Sequence, residues 1–297
     1  MSVTVVGSIA YDRVRTPFGE RERMLGGAAT HFALAASFFD EVRLVGPVGD
    51  DFADLDVLRT RGSNVDDVEH VVGGETFFWH GEYGWDLNSR DTLETRLGVF
   101  ESFDPKLSDA SKAADTLFLA NIQPDVQRAV REQSRASFVA MDSMNLWIEI
   151  ARDSLVATIS MVDCVILNDA ELRQLTEKPN LISAAREVLA MGPSVVVAKQ
   201  GEYGAALITG DEFFSLPAYP LETVVDPTGA GDTFAGGFVG WLAGHPGDYR
   251  AAMAYGTALA SYNVEEFGTE RVQRLTREEI EDRVQHLGAM TRLPLEA

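Results

Sequence analysis

The sequence predicts an α/β chain built on a doubly wound, mostly parallel sheet flanked by helices. Short β-branched runs recur at crossover spacing over residues 116–121, 138–141 and 164–167 and over Val195–Lys199. Helical apolar patterns lie between them, as in Leu181–Met191. Strands that alternate with helices form parallel sheets, and the sites of such sheets lie beyond the strands' carboxyl ends. The third observation is residues 226–240, Asp-Pro-Thr-Gly-Ala-Gly-Asp-Thr-Phe-Ala-Gly-Gly-Phe-Val-Gly, a glycine turn that opens a helix.

Taken in order, residues 3–6 read as a buried strand that ends in Gly7-Ser8-Ile9-Ala10-Tyr11-Asp12. The Gly-x-Gly-x-x-Gly pattern of dinucleotide-binding turns is absent there. Residues 13–24 are polar and rich in arginine, and the pair Gly26-Gly27 then opens a helix through Ala36. A strand over 42–45 runs into a Gly-Pro-Val-Gly-Asp-Asp turn, and a short β segment follows over 65–72. Residues 76–85, Thr-Phe-Phe-Trp-His-Gly-Glu-Tyr-Gly-Trp, are aromatic and β-prone. Residues 251–264 read as a further helix. With no repeat, low-complexity tract or linker, residues 1–297 read as one domain.

The glycine turn is where the chemistry concentrates. A β-rich run over 218–225 precedes it, closed by Pro227, and Phe234, Phe238, Trp241 and Leu242 fall at helical spacing after it. This predicts strand, turn and helix N-terminus. The first N–H groups of a helix lack intrahelical partners and carry partial positive charge, so such a turn suits phosphate. Asp232 then sits where it would repel the anion. Alone, it reads as an acid attracted to the positive helix end; chemically, it reads as a base placed beside a phosphoryl group. No Gly-Lys-Ser or Gly-Lys-Thr follows, which excludes a Walker P-loop.

Composition narrows the partners. The formal charge of -21 argues against nucleic acid and anionic membrane, and four lysines leave arginine as nearly all of the positive charge. An acidic, lysine-poor chain suits a salt-adapted host, and equally an arginine-preferring genome. No apolar run approaches the roughly 18 residues of a membrane span. The N-terminus has no signal-peptide pattern and the single Cys164 cannot form an internal disulfide, so a reduced, cytoplasmic protein is expected.

The Gly-Ala-Gly-Asp element with its following helix resembles the signature of the ribokinase, or PfkB, family of carbohydrate and nucleoside kinases. The resemblance runs from Val3 to about Leu275 and implies a ribokinase-like fold with a small β lid, formed by about 12–24 and 73–100. It implies ATP-dependent phosphorylation of a hydroxyl on a neutral sugar or related polyol, with a nucleoside as the alternative acceptor. A catalytically silent sugar- or nucleotide-binding regulator is the rival reading, and the intact Gly-Ala-Gly-Asp element speaks against it.

Residue roles follow from the likeness. Asp232 matches the base, and Gly229, Ala230 and Gly231 the anion hole. Asp12, Gly26 and Gly27 match acceptor-binding positions; His31 stands where the family has asparagine. Asp142 and Asn145 follow a strand end that often lines the acceptor site, although the asparagine is shifted by one place and an arginine seen in some sugar kinases is missing. Asn168 and Glu171 resemble an Asn-x-x-Glu element that positions Mg²⁺ through water, and their spacing equally fits a helix capping box. Lys199, Gly201, Gly204 and Thr257, together with Asn168, correspond to nucleotide contacts. Asp226 and Thr228 correspond to a segment that binds K⁺ in several relatives. The implied partners are ATP, a small sugar or nucleoside, and a second copy through the β lid.

Overall fold

The computed structural model describes residues 2–292; residue 1 and residues 293–297, the ends of the expected 1–297 domain, lie outside the described residues. Along the chain, β1 (Ser2–Val6) leads into β2 (Ala10–Thr16) and β3 (Gly19–Gly26). After a helix come β4 (Glu41–Val48), the short β5 (Ser63–Asn64) and β6 (Val68–His70), then β7 (Phe77–Tyr83) and β8 (Arg90–Arg96). The strands β9 (Thr116–Leu119), β10 (Phe138–Asp142), β11 (Cys164–Asn168) and β12 (Val195–Lys199) alternate with helices, and β13 (Ala205–Ile208) and β14 (Phe213–Leu216) close the series.

One sheet has the order β14-β13-β12-β11-β10-β9-β1-β4-β5, with β6 beside β4. Its strands run parallel from β12 to β5, and β13 and β14 join antiparallel. This is the ribokinase-like doubly wound architecture. Side chains alternate across it, as the pleat requires. Val195 and Val197 enter the core beneath the helices Ala28–Ala36, Ala230–Gly244 and Tyr249–Asn263, while Val196 and Ala198 enter the core on the other face. Burial on both faces explains why these strands read as unbroken apolar runs.

A second, four-stranded sheet has the order β3-β2-β7-β8. It stands on its own small core of Val14, Met24, Tyr83 and Phe267, joined by the half-buried Trp79. Its aromatic content therefore packs partly inward, while Trp85 in the β7–β8 turn is exposed.

Two sequence expectations change. Residues 218–225 form an irregular segment rather than a strand: Pro220 has no N–H to give a ladder, and Pro217 and Pro227 bracket the run. Of the predicted β segment over 65–72 only β6 forms, Val68–His70; β5 lies before it, across a turn. The predicted helix over Leu181–Met191 forms with those bounds, capped by Asn180 accepting from the Ser183 N–H.

Candidate active site

Three adjacent parallel strands end on polar residues: β10 on Asp142, β11 on Asn168 and β12 on Lys199. Pairing sets Asn168 beside Lys199. The helix Ala230–Gly244 points its N-terminus at the same edge, with Gly229 as N-cap at φ 73°. That left-handed angle, and a His31 ring 2.2 Å from where a β-carbon would stand, make glycine obligatory at 229. Lys199 Nζ reaches Asp142 Oδ2 at 2.8 Å and also lies 3.0 Å from the β-carbon position of Gly231. An ammonium thus sits against the glycine turn.

Asp232 stands in the first turn of this helix. Burial, reinforced by the Asp142 carboxylate, raises its pKa to about 7, against the opposing charges of Lys199 and Arg90. Burial and Asp142 likewise raise Glu171 to about 7. At Lys199 burial acts to lower the pKa, but Asp142, Glu171 and Asp232 outweigh it and hold the ammonium above its ordinary range. A base whose pKa lies near neutrality is matched to proton abstraction at physiological pH.

Asp12, on β2, is 5% exposed. Its carboxylate accepts the Gly27 N–H and lies over Gly26, where any β-carbon would meet Asp12 Oδ2 at 2.0 Å. Burial and the carboxylates of Asp226 and Asp232 push Asp12 up to about 8. Asp12, Gly26, Gly27 and Asp232 are therefore brought together.

A cavity of about 530 Å³ opens on the other side of the glycine turn. Lys199, Gly201, Gly204, Ala230, Gly231 and Thr257 line it. Thr257 Oγ1 is buried and has no protein partner, a polar atom ready for a ligand. Asp86, Leu87 and Asn88, from the β7–β8 turn of the small sheet, line the same cavity.

Other expected residues are placed differently. His31 is 2% exposed, and burial lowers its pKa to about 4, which keeps it neutral. Its Nδ1 lies 3.2 Å from Asn263 Oδ1, so it acts as packing beneath Gly229. Asn145 opens the helix Asn145–Ile150 and is exposed. Asn168 and Glu171 form a complete capping box: Asn168 Oδ1 accepts the Glu171 N–H, and Glu171 Oε2 accepts the Asn168 N–H, both at 2.8 Å. Both Asp226 oxygens accept backbone N–H groups, from Thr228 at 2.9 Å and Gly268 at 2.8 Å.

Sequence reasoning missed two residues. Asn263 accepts from Thr233 Oγ1 at 3.0 Å and donates to the Thr228 carbonyl at 2.8 Å, tying three segments beneath the turn. Asn263 ends its helix among other polar residues, with no local mark. Arg90 lies on β8 opposite Tyr83, and nothing local marks it.

A parallel sheet ending in carboxylates and a lysine, facing a glycine-capped helix, defines a phosphotransferase of the doubly wound class. Residues 98–274 match the family described as pfkB family carbohydrate kinase. The chain is 30% identical to a cytidine kinase from Thermococcus kodakarensis, over 83% of this chain and 90% of that one. It is 28% identical to a nucleoside kinase from Methanothermobacter thermautotrophicus, over 82% and 80%. A solved structure of Burkholderia thailandensis nucleoside kinase in complex with ADP-inosine superposes with a TM-score of 0.80 at 19% identity, covering 97% of this chain and 96% of its own. The chain belongs to the PfkB family of carbohydrate and nucleoside kinases. It is an enzyme that phosphorylates a hydroxyl acceptor.

Proposed function

We propose that the chain transfers the γ-phosphoryl group of ATP to a ribose hydroxyl of a nucleoside. The observation that carries this reading is the pairing of Asp12 and Asp232 on one side of the Gly229–Gly231 turn, with the cavity of about 530 Å³ on the other. Asp12 offers carboxylate oxygens to vicinal hydroxyls, and the glycines beside it let the acceptor lie against backbone. Asp232 takes the proton of the attacking hydroxyl as the O–P bond forms and the bond to the departing ADP breaks. The N–H groups at 229–231 and the Lys199 ammonium face the charge that spreads over the phosphoryl oxygens. The match to a cytidine kinase and a nucleoside kinase over four-fifths of the chain favours a nucleoside over the simple polyol expected from sequence.

Among the described residues no three His, Cys, Asp or Glu side chains converge as a metal cage. Carboxylates at a phosphate site still suit Mg²⁺, which keeps several waters and binds through phosphate oxygens. Glu171 retains one oxygen outside the capping box, so Glu171 and Asn168 would hold it through water. When bound, Mg²⁺ neutralises phosphate charge. We assign K⁺ no step, since both Asp226 oxygens accept backbone N–H groups.

The small sheet, from about 12–24 and 73–100, is the lid of a single kinase domain and keeps water from the phosphoryl group. Every residue of β8, its edge strand, is exposed, an open ladder suited to a second copy. Among the described residues no helix is long and apolar enough to cross a membrane. We assign the cytoplasm from the reduced cysteine and the nucleotide substrate.

The test measures ADP release with cytidine, adenosine, guanosine, inosine, ribose, deoxyribose and fructose as acceptors. Nucleosides are expected to give the highest kcat/KM. Turnover of free pentoses with no response to nucleosides would replace this reading with a sugar kinase.

A further inference from the structure

The small sheet carries a residue toward the phosphoryl site that the sequence does not announce. Arg90 stands directly across from Tyr83 in the β7–β8 ladder. Directly paired residues of adjacent strands project from the same face of a sheet. Tyr83 faces the small core and its hydroxyl lies 3.3 Å from Thr228 Oγ1, one residue before the Gly229 cap. On that face the Trp79 ring lies across Gly81, and the Arg90 guanidinium rests 5.7 Å from the ring centroid. Arg90 is therefore aimed across the cleft from the lid side, toward the glycine turn.

Its charge is felt at that turn and beside it. Arg90 favours the ionised forms of Asp12 on the acceptor side and of Asp232 at the centre. The turn that ends just before Arg90 contributes Asp86, Leu87 and Asn88 to the nucleotide cavity, and Asn88 Nδ2 reaches Glu202 Oε1 at 3.5 Å. One hairpin thus borders acceptor, base and nucleotide together.

The charge balance calls for such a group. Asp12, Asp142, Glu171 and Asp232 crowd the site, and the Lys199 ammonium is already engaged by Asp142 at 2.8 Å. A triphosphate adds further negative charge. Two anionic sets meeting in a closing, poorly solvated cleft repel strongly unless cations stand between them. Among the described residues Arg90 forms no ion pair with a carboxylate; its guanidinium meets the Tyr83 hydroxyl and the Trp79 ring, so its charge is not neutralised.

Resting on the kinase reading above, we propose that Arg90 is a catalytic residue: the hairpin delivers its guanidinium to the oxygens of the migrating phosphoryl group, so that closing over the acceptor and stabilising transfer are one event. It takes no proton and forms no covalent bond. It donates N–H groups to oxygens whose charge redistributes as the bond to ADP breaks and the bond to the acceptor forms.

The experiment compares the full chain with Arg90→Gln and Arg90→Lys, each checked for native circular dichroism. Initial rates of ADP release are measured with every acceptor that the wild type uses and with water alone. Arg90→Gln is expected to lower kcat by at least ~10²-fold, below the 10³–10⁵ that a full arginine finger supplies. The factor should be similar for all acceptors, water included, while KM for acceptor changes less than about threefold. The pH of half-maximal kcat should rise, because Arg90 holds Asp232 down. Added guanidinium, and not KCl at equal ionic strength, should restore part of the rate. A loss confined to acceptor KM would overturn the proposal, since Arg90 would then grip the acceptor. Unchanged kcat, or equal rescue by KCl, would overturn it too. If nucleosides fail and pentoses react while the Arg90 pattern holds, the nucleoside reading falls and the role of Arg90 stands.

Discussion

The proposed chemistry turns on Asp232, and its burial is as informative as its position. Asp232→Asn keeps the size of the side chain and removes the base; kcat should fall by at least ~10²-fold, with ATP affinity and fold retained. A mutant that keeps most of its activity would remove the assignment. For the wild type, kcat should rise through about pH 7 as the carboxyl loses its proton. Stability runs the other way. Asp12, Glu171 and Asp232 have folded-state pKa values of about 8, 7 and 7, above ordinary values of 3.8, 4.5 and 3.8. A raised carboxyl pKa contributes most below the unfolded value, and that contribution is lost as pH rises through the folded one. The ligand-free Tm should therefore decline between about pH 5 and pH 8.5, and Asp12→Asn should flatten the decline. Asp12→Ala should weaken kcat/KM for the acceptor by about 10- to 150-fold, the equivalent of losing a hydrogen bond to a charged group at roughly 1.5–3 kcal/mol. KM for ATP should change little.

At the scale of elements, two devices hold the site open to substrate yet rigid. The capping box of Asn168 and Glu171 fixes the start of the helix Asp169–Thr176 with the same carboxylate that the proposed mechanism offers to Mg²⁺. Structural and functional readings of that carboxylate are separable, because glutamine can accept the Asn168 N–H but carries no charge. Glu171→Gln should keep Tm nearly unchanged and raise the Mg²⁺ concentration for half-maximal rate. Glu171→Ala should in addition lower stability by about 0.5–2 kcal/mol, the scale of a lost cap. The second device is the Asn263 amide, which joins His31, Thr233 and the Thr228 carbonyl beneath the glycine turn. Asn263→Ala leaves buried partners unpaired and should cost about 2 kcal/mol or more by chemical denaturation. Asn263→Asp should not restore it, since a carboxylate cannot donate to the Thr228 carbonyl.

The whole molecule carries a charge of -21, and many of its arginines lie in ion pairs on the surface, such as Arg274 with Glu266 and Arg277 with Glu281. Repulsion among the surplus carboxylates is screened by salt, so Tm should hold or rise as KCl approaches molar levels. NaCl at the same ionic strength should act alike on Tm. A rate increase specific to KCl would assign a potassium role to Asp226 and Thr228, and equal rates in both salts would leave screening alone.

The glycine turn, its aspartate and the parallel strands were legible in the sequence because each rests on local chemistry. Periodicity marks a strand buried on both faces, and Gly-Ala-Gly-Asp marks a helix start that must admit an anion and a base. The capping spacing of Asn168 and Glu171 was equally visible, since three residues decide it. Residues 218–225 misled because β-prone side chains were weighed above the proline inside the run and the two that bracket it. Only the tertiary structure joined Asp142 to Lys199 across 57 positions, turned His31 inward under Gly229, and left Asn145 in solvent. Arg90 belongs to the same class. Its neighbours in sequence are polar and exposed, and its relation to Asp232 comes from hairpin register and from the docking of one sheet over the end of another. Local sequence sets which conformations a segment can adopt; which charges meet is decided by packing among segments far apart in the chain.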